Sequence, residues 1–272
     1  GSFCWDPVNQ EVLSVGGSSM DKGFTPGSWV YKSAAGQWEK LKPGTPELAA
    51  LQDRAETLRR GSWALLSHCR SRFFITESPE EAKVKLSECG AKLKDDLAAF
   101  AKDVAAAKLP GTMKAGQNHA AERAGKCVEA LGKLGPALDG KLTPELLGEF
   151  QSAHCLLESA ACDLDHEPRG RAHSRMAWDP VSKKIVLFGG DGLDRAYGDT
   201  WVYDPATRTW EQKYPGVAPA PRGGHVLDWL PEARRIVLAG GYSKGAPLPF
   251  DVWTYDPAAG KWVNIQSVEL KG

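Results

Sequence analysis

The sequence has no excess of one charge and no long apolar run, and each absence narrows the choice of partner. Lys plus Arg number 34 and Asp plus Glu number 34, so there is no bulk electrostatic case for nucleic acid or an anionic membrane. No apolar stretch approaches the length of a membrane span. We therefore expect neither nucleic acid nor a membrane as a partner, and the compartment stays open.

Motifs that would commit the chain to a reaction are also missing. There is no nucleophile motif, no phosphate-binding loop and no pair of carboxylates at a catalytic spacing. The six cysteines include no Cys-x-x-Cys pair of the kind that holds structural zinc. We predict no cofactor and no catalytic residue.

Tryptophan and glycine are abundant instead, with ten and 29 residues, and they recur in register. Gly189-Gly190 returns 51 residues later as Gly240-Gly241, and Trp201 returns 52 residues later as Trp253. Internal repeats of this period identify the architecture of a repeat protein, so we interpret them before any single motif.

A third copy lies at the N-terminus. Trp5 precedes Gly16 by 11 residues, the distance that also separates Trp178 from Gly189 and Trp229 from Gly240. Each copy predicts four short strands, because apolar β-branched runs alternate with Asp-Pro and Gly turns. A hydrophobic strand ending in Gly-Gly and followed by spaced aromatics resembles the kelch repeat of the galactose-oxidase-like superfamily.

The resemblance implies four-stranded antiparallel blades packed radially in a β-propeller. The predicted fold class is therefore multi-domain β plus α, with three kelch-type blades per chain and a helical insertion. The predicted boundaries are residues 1–44 for a first, N-terminally clipped blade, 166–218 for the second and 219–272 for the third. The recurring Trp residues are expected to fill the space between neighbouring blades.

Residues 45–165 change composition and predict an inserted up-and-down four-helix bundle. Thr45-Pro46, Ser78-Pro79 and Thr143-Pro144 each combine a capping hydroxyl with Pro at the first helical position. Apolar residues then recur at helical spacing. The first such set is Leu48, Leu51, Ala55, Leu58, Leu65 and Cys69.

Five of the six cysteines lie in the insertion, on or near faces predicted to point inward. Three interpretations remain open. The thiols serve as small buried apolar groups, or form disulfides between helices, or bind a metal. The metal alternative would use Cys155, Cys162 and His166.

Binding through variable loops is the function that the sequence favours. The loops after Gly-Gly differ between copies, and repeat scaffolds commonly bind through such loops. The candidate binding residues are Asp21, Lys22, Asp191, Asp194, Arg195, Tyr197, Tyr242 and Lys244. We predict a non-catalytic scaffolding protein that binds a protein partner through these loops and the helical insert.

The alternative function is a propeller enzyme or metal-dependent protein, with its site between the bundle and the propeller face. Copper oxidases of the galactose oxidase type need a Tyr-Cys cross-link with Tyr and His ligands, and the six tyrosines show no matching constellation. His173 and His225 lie 52 residues apart and are expected to hold one repeated structural position, although their spacing to the next Trp differs by one residue.

Three blades leave two open flanks, since propellers have four to eight blades. Two alternatives would cover them. Two chains would pair as a homodimer that completes a six-bladed ring, or the chain would be part of a longer propeller whose remainder lies elsewhere.

Overall fold

The computed structural model describes residues 1–19, 23–24, 27–41, 44–74, 85–134, 138, 142–192, 195–243, 246–248 and 250–268. The chain divides into two compact units. One combines Gly1–Pro43 with His166–Gly272, and the other is Gly44–Asp165. Each has its own hydrophobic core, and we describe each by itself.

Within the described ranges, the strands of the first unit form three four-stranded antiparallel sheets, as the repeats predict. Sheet 1 contains β1 (Ser2–Asp6), β2 (Glu11–Val15), β5 (Ser28–Lys32) and β6 (Gln37–Lys40). Sheet 2 contains β7 (Arg175–Asp179), β8 (Lys184–Asp191), β9 (Ala196–Asp204) and β10 (Thr209–Lys213). Sheet 3 contains β11 (Val226–Leu230), β12 (Arg235–Ala239), β15 (Phe250–Asp256) and β16 (Lys261–Val268).

Two small hairpins extend the second-to-third strand connections of sheets 1 and 3. They are β3 (Ser18–Ser19) with β4 (Gly23–Phe24), and β13 (Tyr242–Ser243) with β14 (Ala246–Pro247). Both follow a Gly-Gly doublet, so the variable loops of the sequence start at one end of each sheet.

The three sheets share one register because the same turn chemistry recurs. Trp5 pairs with Val12, Trp178 with Ile185 and Trp229 with Ile236 across the first two strands. The Asp that ends a strand accepts the backbone N–H two residues on, at 2.9 Å in each case. This bond closes the turn before the chain reverses. The residues capped in this way are Asp6, Asp179, Asp204 and Asp256.

Neighbouring sheets pack through the predicted tryptophans. Trp210 of sheet 2 is buried in a core shared with Leu13 and Val30 of sheet 1, and Trp262 of sheet 3 is buried in a core shared with sheet 2. The first strands also adjoin, with β7 in contact with both β1 and β11. The prediction that recurring Trp residues fill the space between sheets is therefore confirmed at these two positions.

Gly189 shows why the doublet needs glycine. Its φ is +60°, and a Cβ there would lie 2.4 Å from the carbonyl oxygen of Arg222 on the next sheet. Both the left-handed backbone and the close approach of another chain segment exclude a side chain. The doublet thus lets sheet 3 begin directly against the end of β8.

The second unit contains four helices in its described residues, α1 (Pro46–Phe74), α2 (Leu86–Ala106), α3 (Lys114–Leu134) and α4 (Pro144–Asp163). A single 3-10 turn, Gly111–Met113, precedes α3. Thr45 Oγ1 accepts from Leu48 N at 3.2 Å, and Thr143 Oγ1 accepts from Leu146 N at 3.3 Å. Both are the predicted N-caps. The predicted start at Ser78-Pro79 lies outside the described residues.

Each helix packs against the next in sequence, and α4 packs against α1, around one core. The first predicted apolar face is confirmed, since Leu48, Leu65 and Cys69 all lie in that core. No helix in the described part of the chain is long and apolar enough to cross a membrane.

The prediction that each cysteine of the insertion lies on or near an inward helical face is wrong for Cys89 and Cys155. Cys69 and Cys127 are buried, but Cys89 and Cys155 are exposed and Cys162 is half-buried. All six cysteines of the chain lie in described residues, and none is in a disulfide. Burial raises the pKa of the Cys127 thiol to about 12, so this residue behaves as a small apolar group.

Candidate functional site

Two buried arginines form ion pairs at the end of sheets 2 and 3 where the variable loops begin. Arg171 binds both carboxylate oxygens of Asp199, at 2.6 and 2.8 Å. Arg222 binds both oxygens of Asp251, at 2.5 and 2.8 Å. Each arginine also donates to the carbonyl of the first glycine of its doublet, Gly189 or Gly240. We call these two pairs the Arg–Asp clamps.

In each of these two sheets, the clamp joins the residues just before the first strand to the Gly-Gly end of the second strand and to the start of the third strand. Burial alone would raise the pKa of Asp199, but the Arg171 charge and the hydrogen bonds from Arg171 and Trp201 Nε1 hold it below its ordinary value. The pKa of Asp251 is lowered in the same way by Arg222 and Trp253. The clamps are therefore charged and fully bonded, and they make the loop-bearing end rigid.

Three side chains meet at this end of the sheets, and two of them are predicted binding residues. Tyr242 OH donates to Asp191 Oδ2 at 2.9 Å, and His173 Nδ1 lies 3.0 Å from the same oxygen. Tyr242 OH is also 2.9 Å from His173 Nδ1. We call His173, Asp191 and Tyr242 the loop-face cluster; it joins sheet 2 to sheet 3.

Asp191 bonds one edge of the histidine ring. A carboxylate accepts hydrogen bonds, so Nδ1 of His173 supplies the hydrogen of this bond. The His173 side chain is 59% exposed. Burial and the Asp191 bond raise the pKa of Tyr242, so its hydroxyl stays protonated at neutral pH.

His173 occupies a strained backbone position, and sequence reasoning missed its role. Its φ is +54°, and the residue at the same distance before the first-strand Trp of sheet 3 is Gly224, with φ +65°. The paired bridges Ala172–Asp191 and Gly223–Tyr242 confirm this equivalence. Four other non-glycine residues of the described ranges also have positive φ, each in a turn between strands, so the side-chain bonds to Asp191 and Tyr242 are what mark His173 as a candidate position. In the sequence itself, His173 and Gly224 each lie five residues before the first-strand Trp of their copies, Trp178 and Trp229.

The predicted equivalence of His173 with His225 is accordingly wrong. His225 corresponds to Ser174, and both are buried. Within the described residues, neither ring nitrogen of His225 has a hydrogen-bond partner. Burial and the nearby charges of Arg222 and Arg175 lower its pKa to about 3. His225 is a neutral residue of the sheet 2–sheet 3 interface, whereas His173 faces solvent.

The other predicted binding residues divide into two groups. Tyr197 pairs with Gly190 in the β8–β9 ladder, and its ring lies 4.3 Å from Arg171 Cζ and 5.7 Å from Arg195 Cζ. These cation–π contacts place Tyr197 and Arg195 close to Asp191 on sheet 2. Asp21, Lys22, Asp194 and Lys244 lie outside the described residues.

The hydrogen bonds of His173 in the loop-face cluster go to the Asp191 carboxylate and the Tyr242 phenol. Over the described ranges, no group of three or more His, Cys, Asp or Glu side chains is arranged to hold a metal ion. Of the predicted metal candidates, Cys155 is exposed and its Sγ accepts from Gln151 Nε2 at 3.5 Å, while His166 belongs to the sheet unit.

The helical unit has a cavity of its own, between α1 and α2. Its volume is about 370 Å³. The lining is mainly apolar and includes Leu58, Leu65, Leu86 and Leu93. Exposed Cys89 and half-buried His68 lie among the polar lining residues.

No family model matches the chain. Part of it is similar to the protein named multiple epidermal growth factor-like domains protein 8. The mouse protein is 34% identical over 118 residues, covering 37% of this chain, and the rat protein gives the same figures. The human protein is 38% identical over 80 residues, covering 29% of the chain. The chain spans about 4% of the length of the mouse and rat proteins and about 3% of the human protein, so the match covers a short segment of each.

Proposed function

We propose that this chain is a non-catalytic interaction module of the kelch-propeller type, which binds a protein partner through the loops after Gly-Gly and the helical insert. The propeller assignment is supported by three equivalent four-stranded sheets whose first strands adjoin. It is also supported by the repeated Arg–Asp clamps at the Gly-Gly ends.

The loop-face cluster carries the binding proposal. A histidine at positive φ, in a position where the next sheet has glycine, keeps its side chain exposed and oriented by two hydrogen bonds. A backbone conformation of this kind costs about 1–3 kcal/mol in a non-glycine residue, and here it holds an exposed imidazole at the junction of sheets 2 and 3. An oriented imidazole beside a partly exposed tyrosine is a suitable anchor for a protein partner, because aromatic side chains dominate such interfaces.

The geometry beneath the cluster supports the same function. Asp191 extends from the strand that the Arg171 clamp fixes, and Tyr242 follows the doublet that the Arg222 clamp fixes. The cluster therefore rests on rigid elements and requires little ordering when a partner binds. The apolar cavity between α1 and α2 makes the helical unit a suitable second contact surface.

The test compares the proteins retained by the wild-type chain and by point variants, using quantitative mass spectrometry. Asp191→Asn removes the charge that orients His173, and Tyr242→Phe removes the hydroxyl that bonds both partners. We expect each to reduce the retained partner about tenfold or more, the effect of removing a buried interface anchor. Tyr214→Phe is the matched control, since it deletes a tyrosine hydroxyl that donates to Gln212 outside the cluster.

The result that overturns the proposal is equally specific. Retention unchanged in both Asp191→Asn and Tyr242→Phe, with all variants as stable as wild type by chemical denaturation, removes the cluster from the binding surface.

A further inference from the structure

The flank of sheet 1 that faces away from sheet 2 is aromatic and exposed. Phe3 is 61% exposed, and Trp5 and Trp38 are each 49% exposed. The ring centroids of Phe3 and Trp38 lie 6.4 Å apart, and those of Tyr31 and Trp38 lie 5.3 Å apart. We call Phe3, Trp5, Tyr31 and Trp38 the aromatic flank. Contiguous exposed apolar surface of this kind marks an interaction site.

The same register positions in the other two sheets are covered by the preceding sheet. Trp210 and Trp262, the equivalents of Trp38, are 3% and 4% exposed. Tyr203 and Tyr255, the equivalents of Tyr31, are fully buried. The aromatic flank is thus the surface that this repeat buries wherever a sheet precedes it.

A polar bond accompanies each covered tryptophan. Trp210 Nε1 donates to Ser28 Oγ at 3.0 Å, and Trp262 Nε1 donates to Thr200 Oγ1 at 2.9 Å. Ser28 and Thr200 both immediately precede the third-strand Trp of their sheets. A buried indole N–H requires an acceptor, so a hydroxyl at this place is a condition for covering the tryptophan.

We propose that the aromatic flank docks a further four-stranded sheet of the same repeat, supplied by a sequence other than sheet 3 of a second copy. The docking sheet presents a small apolar face with Ser or Thr directly before its third-strand Trp, and that hydroxyl accepts from Trp38 Nε1. The surface lies on sheet 1 and is separate from the loop-face cluster on sheets 2 and 3.

Sheet 3 does not meet these conditions, which is why a second copy is not the occupant. The residue before its third-strand Trp is Val252, which has no hydroxyl to accept from Trp38. Asp228 stands where sheets 1 and 2 have Cys4 and Ala177 on the face that covers the next sheet. A second copy would bury an indole without an acceptor and a carboxylate without a cation, and both are unfavourable.

The experiment restores both conditions in the full chain and measures self-association by sedimentation velocity over a range of concentrations. The variant Val252→Thr/Asp228→Ala gives sheet 3 the residues that sheet 2 has at these places, Thr200 and Ala177. We expect the wild-type chain to remain at 29.4 kDa. We expect the double variant to associate head to tail, with a dissociation constant at least about tenfold lower.

Two further variants in the same background identify the surface used. Trp38→Phe keeps the aromatic area but deletes the donor, and it should abolish most of the gain. Trp63→Phe alters a tryptophan that is 50% exposed on the helical unit, and it should leave the gain unchanged. A wild-type chain that already dimerises through Trp38 overturns the inference, as does a double variant that associates no better than wild type.

Discussion

His225 shows how one buried side chain can make stability depend on pH. It is 1% exposed, its ring centroid lies 5.5 Å from that of Phe188, and neither nitrogen has a hydrogen-bond partner in the part of the chain that the structure describes. Because its folded pKa is depressed to about 3, the unfolded chain takes up a proton below its ordinary value of about 6.5 while the folded chain does not. The contribution of this residue to the free energy of unfolding is therefore fully present above about pH 6.5 and is lost as the pH drops toward 3.

We predict that the wild-type sheet unit loses up to about 1.4 kcal/mol of unfolding free energy per pH unit below pH 6 from this residue alone. His225→Met keeps the volume and removes the titrating group, so the loss between pH 7 and pH 5 should disappear. Urea unfolding at pH 7, 6 and 5 measures it. His173→Gln, which removes an exposed histidine from the same unit, should retain the wild-type slope. An equal slope in His225→Met would contradict the assignment.

Gly224 has a left-handed backbone conformation that restricts which residues can replace it. At φ +65°, a Cβ would lie 2.6 Å from Tyr242 Cε1. Gly224→Ala should therefore destabilise the sheet unit by about 1–3 kcal/mol and displace Tyr242 from the loop-face cluster. Gly216, where nothing lies within 4 Å of an added Cβ, is the matched control. A thermal unfolding midpoint of Gly224→Ala equal to that of Gly216→Ala would contradict this account.

At the scale of strands, the Arg–Asp clamps are the strongest polar links. Arg222 and Asp251 are both buried, so Arg222→Met leaves a carboxylate without its cation and should cost about 3–5 kcal/mol. Arg235→Met breaks a more exposed pair with Asp256 and should cost less than about 1 kcal/mol. Urea midpoints at pH 7 measure the difference. Similar losses in the two variants would show that the clamps contribute no more than surface charge.

Repeat spacing was sufficient to predict the strands but not the details at their ends. The distance of 11 residues from Trp5 to Gly16 and that of nine from Trp29 to Trp38 match those of the later copies, and a shared register follows from them. The clamps were not predicted because Arg171 and Asp199 are 28 residues apart in sequence, and no local pattern joins them. His173 was aligned with His225 because residue identity was weighed above distance from the strand, and backbone φ leaves no direct mark in a sequence.

The spacing of apolar residues predicted which helix face is buried, but it did not predict the exposure of single cysteines. The buried face of α1 follows from apolar residues three and four positions apart. Helical spacing also predicts Cys89 and Cys155 on or near inward faces, yet both are exposed. Of the eight predicted binding residues, Asp191, Arg195, Tyr197 and Tyr242 lie close together at the ends of sheets 2 and 3. Their convergence depends on the packing of the two sheets, which sequence spacing does not specify.

At the scale of the whole molecule, we expect the helical unit to fold independently of the sheet unit. Its core draws only on residues between Leu48 and Leu164, and burial of such a core is the main favourable contribution to folding. We predict that residues 44–165 expressed alone give a helical circular dichroism spectrum and one cooperative thermal transition. A spectrum without helical minima, or melting without cooperativity, would mean that the helices depend on the rest of the chain.

Site-specific photocrosslinking can show whether a protein partner contacts the loop-face cluster. A photoreactive residue replaces Ser243, beside Tyr242, or Val181, which is 54% exposed in the turn at the other end of sheet 2. In cells that make the chain, the account predicts a heavier covalent adduct from position 243, absent from position 181 and strongly reduced by Asp191→Asn. Equal adducts from both positions, or an adduct at 243 that ignores Asp191→Asn, would contradict it.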